Sequence, residues 1–553
     1  MKMTRSWLRL LQNEQSKPFE RLYQGPVDPR LRRDRDRLSA QVEQLLKDQL
    51  DGFAPPFVQI EQAAGLASRL RMFIQIWLSL SNHPRKDLRE ESITFLQDLR
   101  SDSLQIRALL LNRISLGGDA PAEWVTMMRR RGHTILPWRA AIGVAEQPEH
   151  DVDIAWLGRF EAEQAINAAA GEAGIGKLAA RLRATQVSKR TAAIADMHAV
   201  FKRVETDLET RFREAARLAA LTQFNHARLD AQPQTMEIAL KVAARRAPRL
   251  ASRWYGSLGV SQPGMHQWHD RFADQPVVLN LATFQARERA ISVLERLHPE
   301  VARAMIKLVR KGRVLQPMGR GGGFTTPMLF DHKGRCNGEL IIYAPFDKDV
   351  SALRTLVHEM GHGAHAYLSR RKGPLLSDAG WAVSEMIALS CETLLLEAFP
   401  HAHREQDFYM LVHQAAIARF ERDLATDKSG RSVDDIWVSA MATMYGADIS
   451  LTGYEPYWRR HTSTLSSVGY PTAYLLGWAL AQHAARRRET LGEATQATYL
   501  DIMKSGSTVG FEDCAAMLGA DDMEAMFEAA YDCAEERLSA GSAQDDRQKR
   551  SGT

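Results

Sequence analysis

The segment His358-Glu359-Met360-Gly361-His362 sets two imidazoles four residues apart with a carboxylate between them. On a helix this spacing puts both histidines on one face, where they can reach one zinc ion at about 2.0–2.1 Å. Glu359, turned by about 100° from His358, then stands beside the metal and not on it, which suits a general base acting on a water held there. A hydrolytic zinc site also needs a third protein ligand and an open fourth position. The pentapeptide arises by chance in some chains, so the third ligand decides its meaning.

Downstream, AVSEMIALSCETLLLEAF carries Glu385 as its first carboxylate, 23 residues after His362, and Glu392 two helical turns later on the same face. The residues between them are mostly apolar, and carboxylates on such a helix need partners. We read His358, His362 and Glu385 as ligands of one zinc ion and Glu359 as the base. Glu392 is read as an acceptor that orients a metal-bound histidine through its other ring N–H. An ordinary buried ion pair is the competing reading of the two glutamates. His365, seven residues after His358, either supports the site from behind or packs there.

These side chains must be presented by helices. Asp349 can cap a helix starting at Val350, and SALRTLVHEMGHGAHAYL runs on without proline. Most of the chain has the same character, with apolar residues at three- and four-residue spacing, as in LETRFREAARLAALTQF from Leu208. Glycines from Gly319 to Gly323 precede FTTPMLF, and GELIIYAPF follows, so Val314 to Pro345 reads as a small β-sheet. GELIIYAP is expected to offer an edge to substrate backbone. Three regions are expected: an N-terminal helical region over 1–195, a catalytic region over 196–540 and a polar, disordered tail over 541–553.

With 553 residues, 45% of them hydrophobic, the chain has ample material for a large core. Its four cysteines, Cys336, Cys391, Cys514 and Cys533, form no CxxC pair, which points to a reducing, cytoplasmic setting. Gln12, Asn13 and Glu14 interrupt the apolar stretch of the N-terminus before it makes a secretory core, and no window has the length of a membrane span. Against 72 basic residues stand 67 acidic ones. That balance gives no reason to assign nucleic acid or membrane as a partner.

HEMGH followed by the Glu385 helix resembles the oligoendopeptidase F and thimet oligopeptidase family of zinc metallopeptidases. GGGFTTPMLF, GELIIYAPFDKDVSALRTLVHE and, further upstream, RWYGSLGVSQPGMHQWHDRF are similar to that family's approach to its zinc helix. GYPTAYLLGWALA resembles its tyrosine-rich segment, which implies that Tyr470 and Tyr474 help stabilise the reaction intermediate. His461 stands for the histidine upstream of them. A third tyrosine is missing, with Thr472 or Gly477 in its place. The resemblance implies a mainly α, elongated fold enclosing a deep channel, with a small sheet beside the zinc helix. The implied activity is endopeptidase action on short unfolded oligopeptides. The rivals are a peptidyl-dipeptidase or metallocarboxypeptidase of similar build, and a helical binding protein without catalysis.

Overall fold

The computed structural model describes residues 229–260, 278–279, 281–316, 322–326, 328, 336, 340–460 and 469–551, with residues 40, 196 and 199 besides. The N-terminal region expected over 1–195 therefore lies almost wholly outside the described residues. The described part is mainly α, as expected, with one small sheet. Among the described residues, no helix is long and apolar enough to cross a membrane.

Helices of seven residues or more are numbered here. They begin with α1 (Pro233–Ser257), α2 (Thr283–Leu297) and α3 (Pro299–Arg310). A three-stranded sheet follows, made of β1 (Val314–Leu315), β2 (Phe324–Thr325) and β3 (Ile342–Tyr343) in the order β1-β3-β2. β3 runs parallel to β1 and antiparallel to β2, pairing Val314 with Ile342 and Phe324 with Tyr343. This corrects the expected edge role of GELIIYAP, since β3 is flanked on both sides. The sequence carried the reason: Leu340, Ile341, Ile342 and Ala344 are all buried, an unbroken apolar run of the kind interior strands show.

Next come α4 (Val350–Ser369) and α5 (Trp381–Leu396). Asp349 caps α4 as the sequence predicts, its carboxylate accepting from the Ala352 N–H at 2.7 Å, a contact type worth about 1 kcal/mol. α5 is apolar around its whole circumference, and Val383, Met386, Ile387 and Leu389 are fully buried. A helix of that kind belongs in the middle of a core. Each such side chain contributes about 1.5–3 kcal/mol of burial, which offsets the cost of holding Glu385 and Glu392 there.

Two glycines let α5 be gripped closely. A Cβ at Gly361 of α4 would come within 3.1 Å of the Ala388 Cα. On the other side stands α9 (Tyr470–Leu491), and a Cβ at its Gly477 would lie 2.8 Å from the Met386 N. The rest of the fold comprises α6 (Pro400–Phe408), a π-helical segment (Tyr409–Gln414), α7 (Ala415–Thr426) and α8 (Val433–Tyr445). It ends with α9 (Tyr470–Leu491), α10 (Glu493–Ser505), α11 (Phe511–Met517) and α12 (Met523–Ser551). α12 includes the polar stretch from Gly541. Along α1 it forms a ladder of ion pairs, among them Arg246 with Asp532 and Arg253 with Glu535.

Candidate metal centre and catalytic site

α4 and α5 bring His358, His362 and Glu385 together, with one donor atom from each lying within 4.8 Å of the others. The two histidine Nε2 atoms are 3.0 Å apart. Glu385 Oε2 is 3.4 Å from His358 Nε2, and Glu385 Oε1 is 3.6 Å from His362 Nε2. A tetrahedral zinc ion with bonds of about 2.0–2.1 Å sets its ligand atoms about 3.3–3.4 Å apart. The spacings, to Oε2 from one imidazole and to Oε1 from the other, lie near that value, so the carboxylate faces the point on which the two histidines converge, and the donor types are those zinc takes. Glu385 Oε2 is also a buried carboxylate oxygen with no hydrogen-bond partner, a costly state for an anion unless a cation sits beside it.

Each histidine is held from behind. Glu392 Oε1 accepts from His358 Nδ1 at 2.7 Å, the orienting role read for it in the sequence. Gln406 of α6 donates to the other Glu392 oxygen at 3.1 Å and is itself bonded by Arg354. His362 Nδ1 meets the Ser384 hydroxyl at 3.1 Å. Sequence reasoning missed Ser384, though its place directly before Glu385 was a usable signal. His365 is buried, its Nε2 without a partner, and it touches no ligand through a hydrogen bond.

Glu359 lies on the β2 side of α4. The Thr325 hydroxyl is 2.8 Å from its Oε2 and 2.9 Å from its carbonyl oxygen. Gly323 leaves room for this, because a Cβ there would meet the Glu359 Cγ at 2.6 Å. Thr325 was also missed, since only the fold of β2 against α4 brings it to Glu359.

The electrostatics favour positive charge at the centre of this group. Burial pushes the His358 imidazole down, but the Glu392 hydrogen bond and the charges of Glu385, Glu392 and Glu359 outweigh it and raise it to about 9. Burial, then the neighbouring His358, holds His362 well below the usual histidine range. Burial raises Glu385, against the pull of His358 and Tyr470, and carries Glu359 up to about 7, against His358 and Thr325.

The first turn of α9 brings two tyrosines to the same place. The Tyr470 hydroxyl donates to Glu385 Oε1. Its ring stands edge-on to Trp381 at 5.1 Å and to Tyr474 at 5.0 Å. Tyr474, half-buried one turn later, is close enough for the charges of Glu385 and Glu359 to hold its hydroxyl well above the usual range, after the larger effect of burial. His461 lies outside the described residues. Thr472 is buried, and Gly477 presses on the α5 backbone, so α9 has no space at 477 for a third tyrosine.

No family profile matches this sequence, and no curated protein does. Solved structures do match. Oligoendopeptidase-F from Enterococcus faecium superposes with a TM-score of 0.58 at 17% identity, over 94% of this chain and 99% of that one. PZ peptidase A, solved with an inhibitor, gives 0.56 at 13% identity over 85% and 97%. Trypanosoma cruzi metallocarboxypeptidase 1 gives 0.52 at 14% identity over 87% and 99%. The chain carries the fold of the oligoendopeptidase F structures, and the site just described sits on that fold's helices.

Proposed function

We propose that the protein is a zinc metalloendopeptidase of the oligoendopeptidase F kind, cleaving short unfolded oligopeptides admitted to an enclosed channel. The observation that carries this reading is the convergence of His358, His362 and Glu385 on one point, with Glu359 held apart from them by Thr325. Zinc bound there would supply Lewis acidity, bringing the pKa of a water toward about 7. Glu359 accepts a proton from the attacking water as its oxygen bonds to the scissile carbonyl carbon. It then passes that proton to the departing nitrogen as the C–N bond breaks. To the Tyr474 hydroxyl we assign the role of donor to negative charge on the carbonyl oxygen. Among the described residues β2 is the outer strand beside Glu359, and we assign to its outer edge backbone pairing with a substrate strand, which leaves side-chain preference loose.

Metallocarboxypeptidase action is the second reading, favoured by the fold shared with the Trypanosoma cruzi enzyme. One experiment separates the two and tests the base. A peptide blocked at both ends is incubated with the zinc-loaded protein and with Glu359→Gln, and products are identified by mass spectrometry. Internal cleavage is expected, falling by about 10²–10⁴-fold in the variant while zinc stays bound. Cleavage only of peptides with a free C-terminus overturns the endopeptidase reading. Full activity in zinc-loaded Glu359→Gln overturns the mechanism.

A further inference from the structure

The tyrosine that a peptidase reading would first aim at substrate is bonded to the metal site instead. Tyr470 Oη donates to Glu385 Oε1, which leaves Oε2 as the oxygen without a hydrogen-bond partner. A carboxylate with one oxygen engaged by a hydroxyl and the other bare is prepared to bind a cation through the bare one. Tyr470 is in turn fixed from the other side. It is the first residue of α9, and the residue before it, Gly469, has φ 91°, a left-handed conformation that glycine adopts without strain. The Gly469 N–H donates to Oε2 of Glu421, a buried carboxylate on α7, at 2.9 Å. An anion at a helix N-terminus is favourable in its own right, and here it also fixes where the helix begins.

We propose that Tyr470 and Glu421 are positioning residues for the metal ligand Glu385: Glu421 sets the entry of α9 through Gly469, and Tyr470 transmits that position to Glu385 Oε1. This rests on the metallopeptidase reading, and it divides the two tyrosines by role. Tyr470 holds the ligand, while Tyr474, whose hydroxyl meets that of Tyr470 and not Glu385, is read as the donor to substrate.

The test is zinc affinity, measured by competition with a chromophoric chelator on the full chain, for wild type, Tyr470→Phe, Tyr474→Phe, Glu421→Ala and Glu421→Gln. Loss of an outer partner of a metal ligand typically weakens binding about 10–100-fold. Tyr470→Phe is expected to fall in that range, Glu421→Ala to weaken binding about tenfold, and Glu421→Gln, which keeps an acceptor oxygen for Gly469, to stay within about threefold of wild type. Tyr474→Phe is expected to bind zinc like wild type while losing turnover. If Glu421→Ala does not fold, Tyr470→Phe and Glu421→Gln carry the test. Wild-type zinc affinity in Tyr470→Phe overturns the proposal, as does equal loss in Tyr470→Phe and Tyr474→Phe. A wild type that binds no zinc overturns the metallopeptidase reading itself, a result distinct from either.

Discussion

Two acidic side chains are buried to nearly the same depth, Asp407 at 1% exposure and Glu385 at 2%, and they are treated in opposite ways. Asp407, on α6, is saturated. Arg537 of α12 donates to both of its oxygens at 2.7 Å, and Trp478 adds a third bond at 3.1 Å. Gln482 takes a further Arg537 N–H at 2.9 Å and passes a bond on to Thr393. Glu385 has one hydroxyl on one oxygen, nothing on the other, and two imidazole nitrogens facing it at 3.4 and 3.6 Å. Burial alone therefore does not mark a functional carboxylate. What sets Glu385 apart is an oxygen left open beside two imidazole nitrogens that converge on the same point.

If that contrast is right, removing the two carboxylates has opposite consequences for stability. Asp407→Ala strands the Arg537 guanidinium and the Trp478 N–H, and it should cost about 3 kcal/mol, the low end for a broken buried pair since Arg537 keeps some exposure. Glu385→Gln should leave metal-free stability within about 1 kcal/mol of wild type, because it removes an anion that has little to hold it. Urea melts in the presence of a chelator check both, and equal losses would erase the distinction.

Zinc sharpens the same comparison from the other direction. A hundredfold excess of zinc over its dissociation constant should stabilise the wild type by about 2.7 kcal/mol. Glu385→Gln should gain almost none of this, while zinc-dependent stabilisation persists on top of the Asp407→Ala loss. The readout is the melting midpoint with zinc and with chelator.

A third comparison concerns acid. His403, packed edge-on against Trp478 at 6.0 Å in the Asp407 region, is lowered to about 4, chiefly by burial. Arg537 pushes the same way, while Asp407, Glu397 and Glu392 oppose it. A histidine depressed on folding contributes stability that is complete above about 6.5 and is lost as pH falls toward 4, where the unfolded chain binds the extra proton. The slope is up to about 1.4 kcal/mol per pH unit. His403→Gln should flatten the stability curve in that window, and an unchanged acid limb would show that His403 does not resist protonation.

Much of the metal half could be read from the sequence because its instructions are local. The i, i+4 histidines, the Asp349 cap and the spacing of Glu385 and Glu392 on one apolar helix all refer to a single element, and the structure joins two such elements face to face. Thr325 on Glu359, Tyr470 on Glu385 and Arg537 on Asp407 are separated by 34, 85 and 130 residues. Nothing near either partner names the other, so only the fold could supply these pairs. GELIIYAP shows a third case, in which the signal was present and misread. An alternating pattern would have fitted an edge, and the run is continuous.

The π-helical turn at Tyr409–Gln414 has a consequence for how this chain tolerates length change. Before it, Gln406 faces Glu392, and after it Glu421 faces Gly469, so one rod serves both the histidine side and the tyrosine side of the site. A π turn amounts to one residue more than an α-helix holds. Deleting a single residue between 409 and 414 would let this turn close into regular α-helix with α6 and α7 kept in phase, whereas the same deletion within α6 or α7 would rotate one end of the rod by about 100° against the other. Gln406 and Glu421 would still both meet their partners after the first deletion and would lose one of them after the second, so this rod can give up a residue at its wide turn and not along its regular helix.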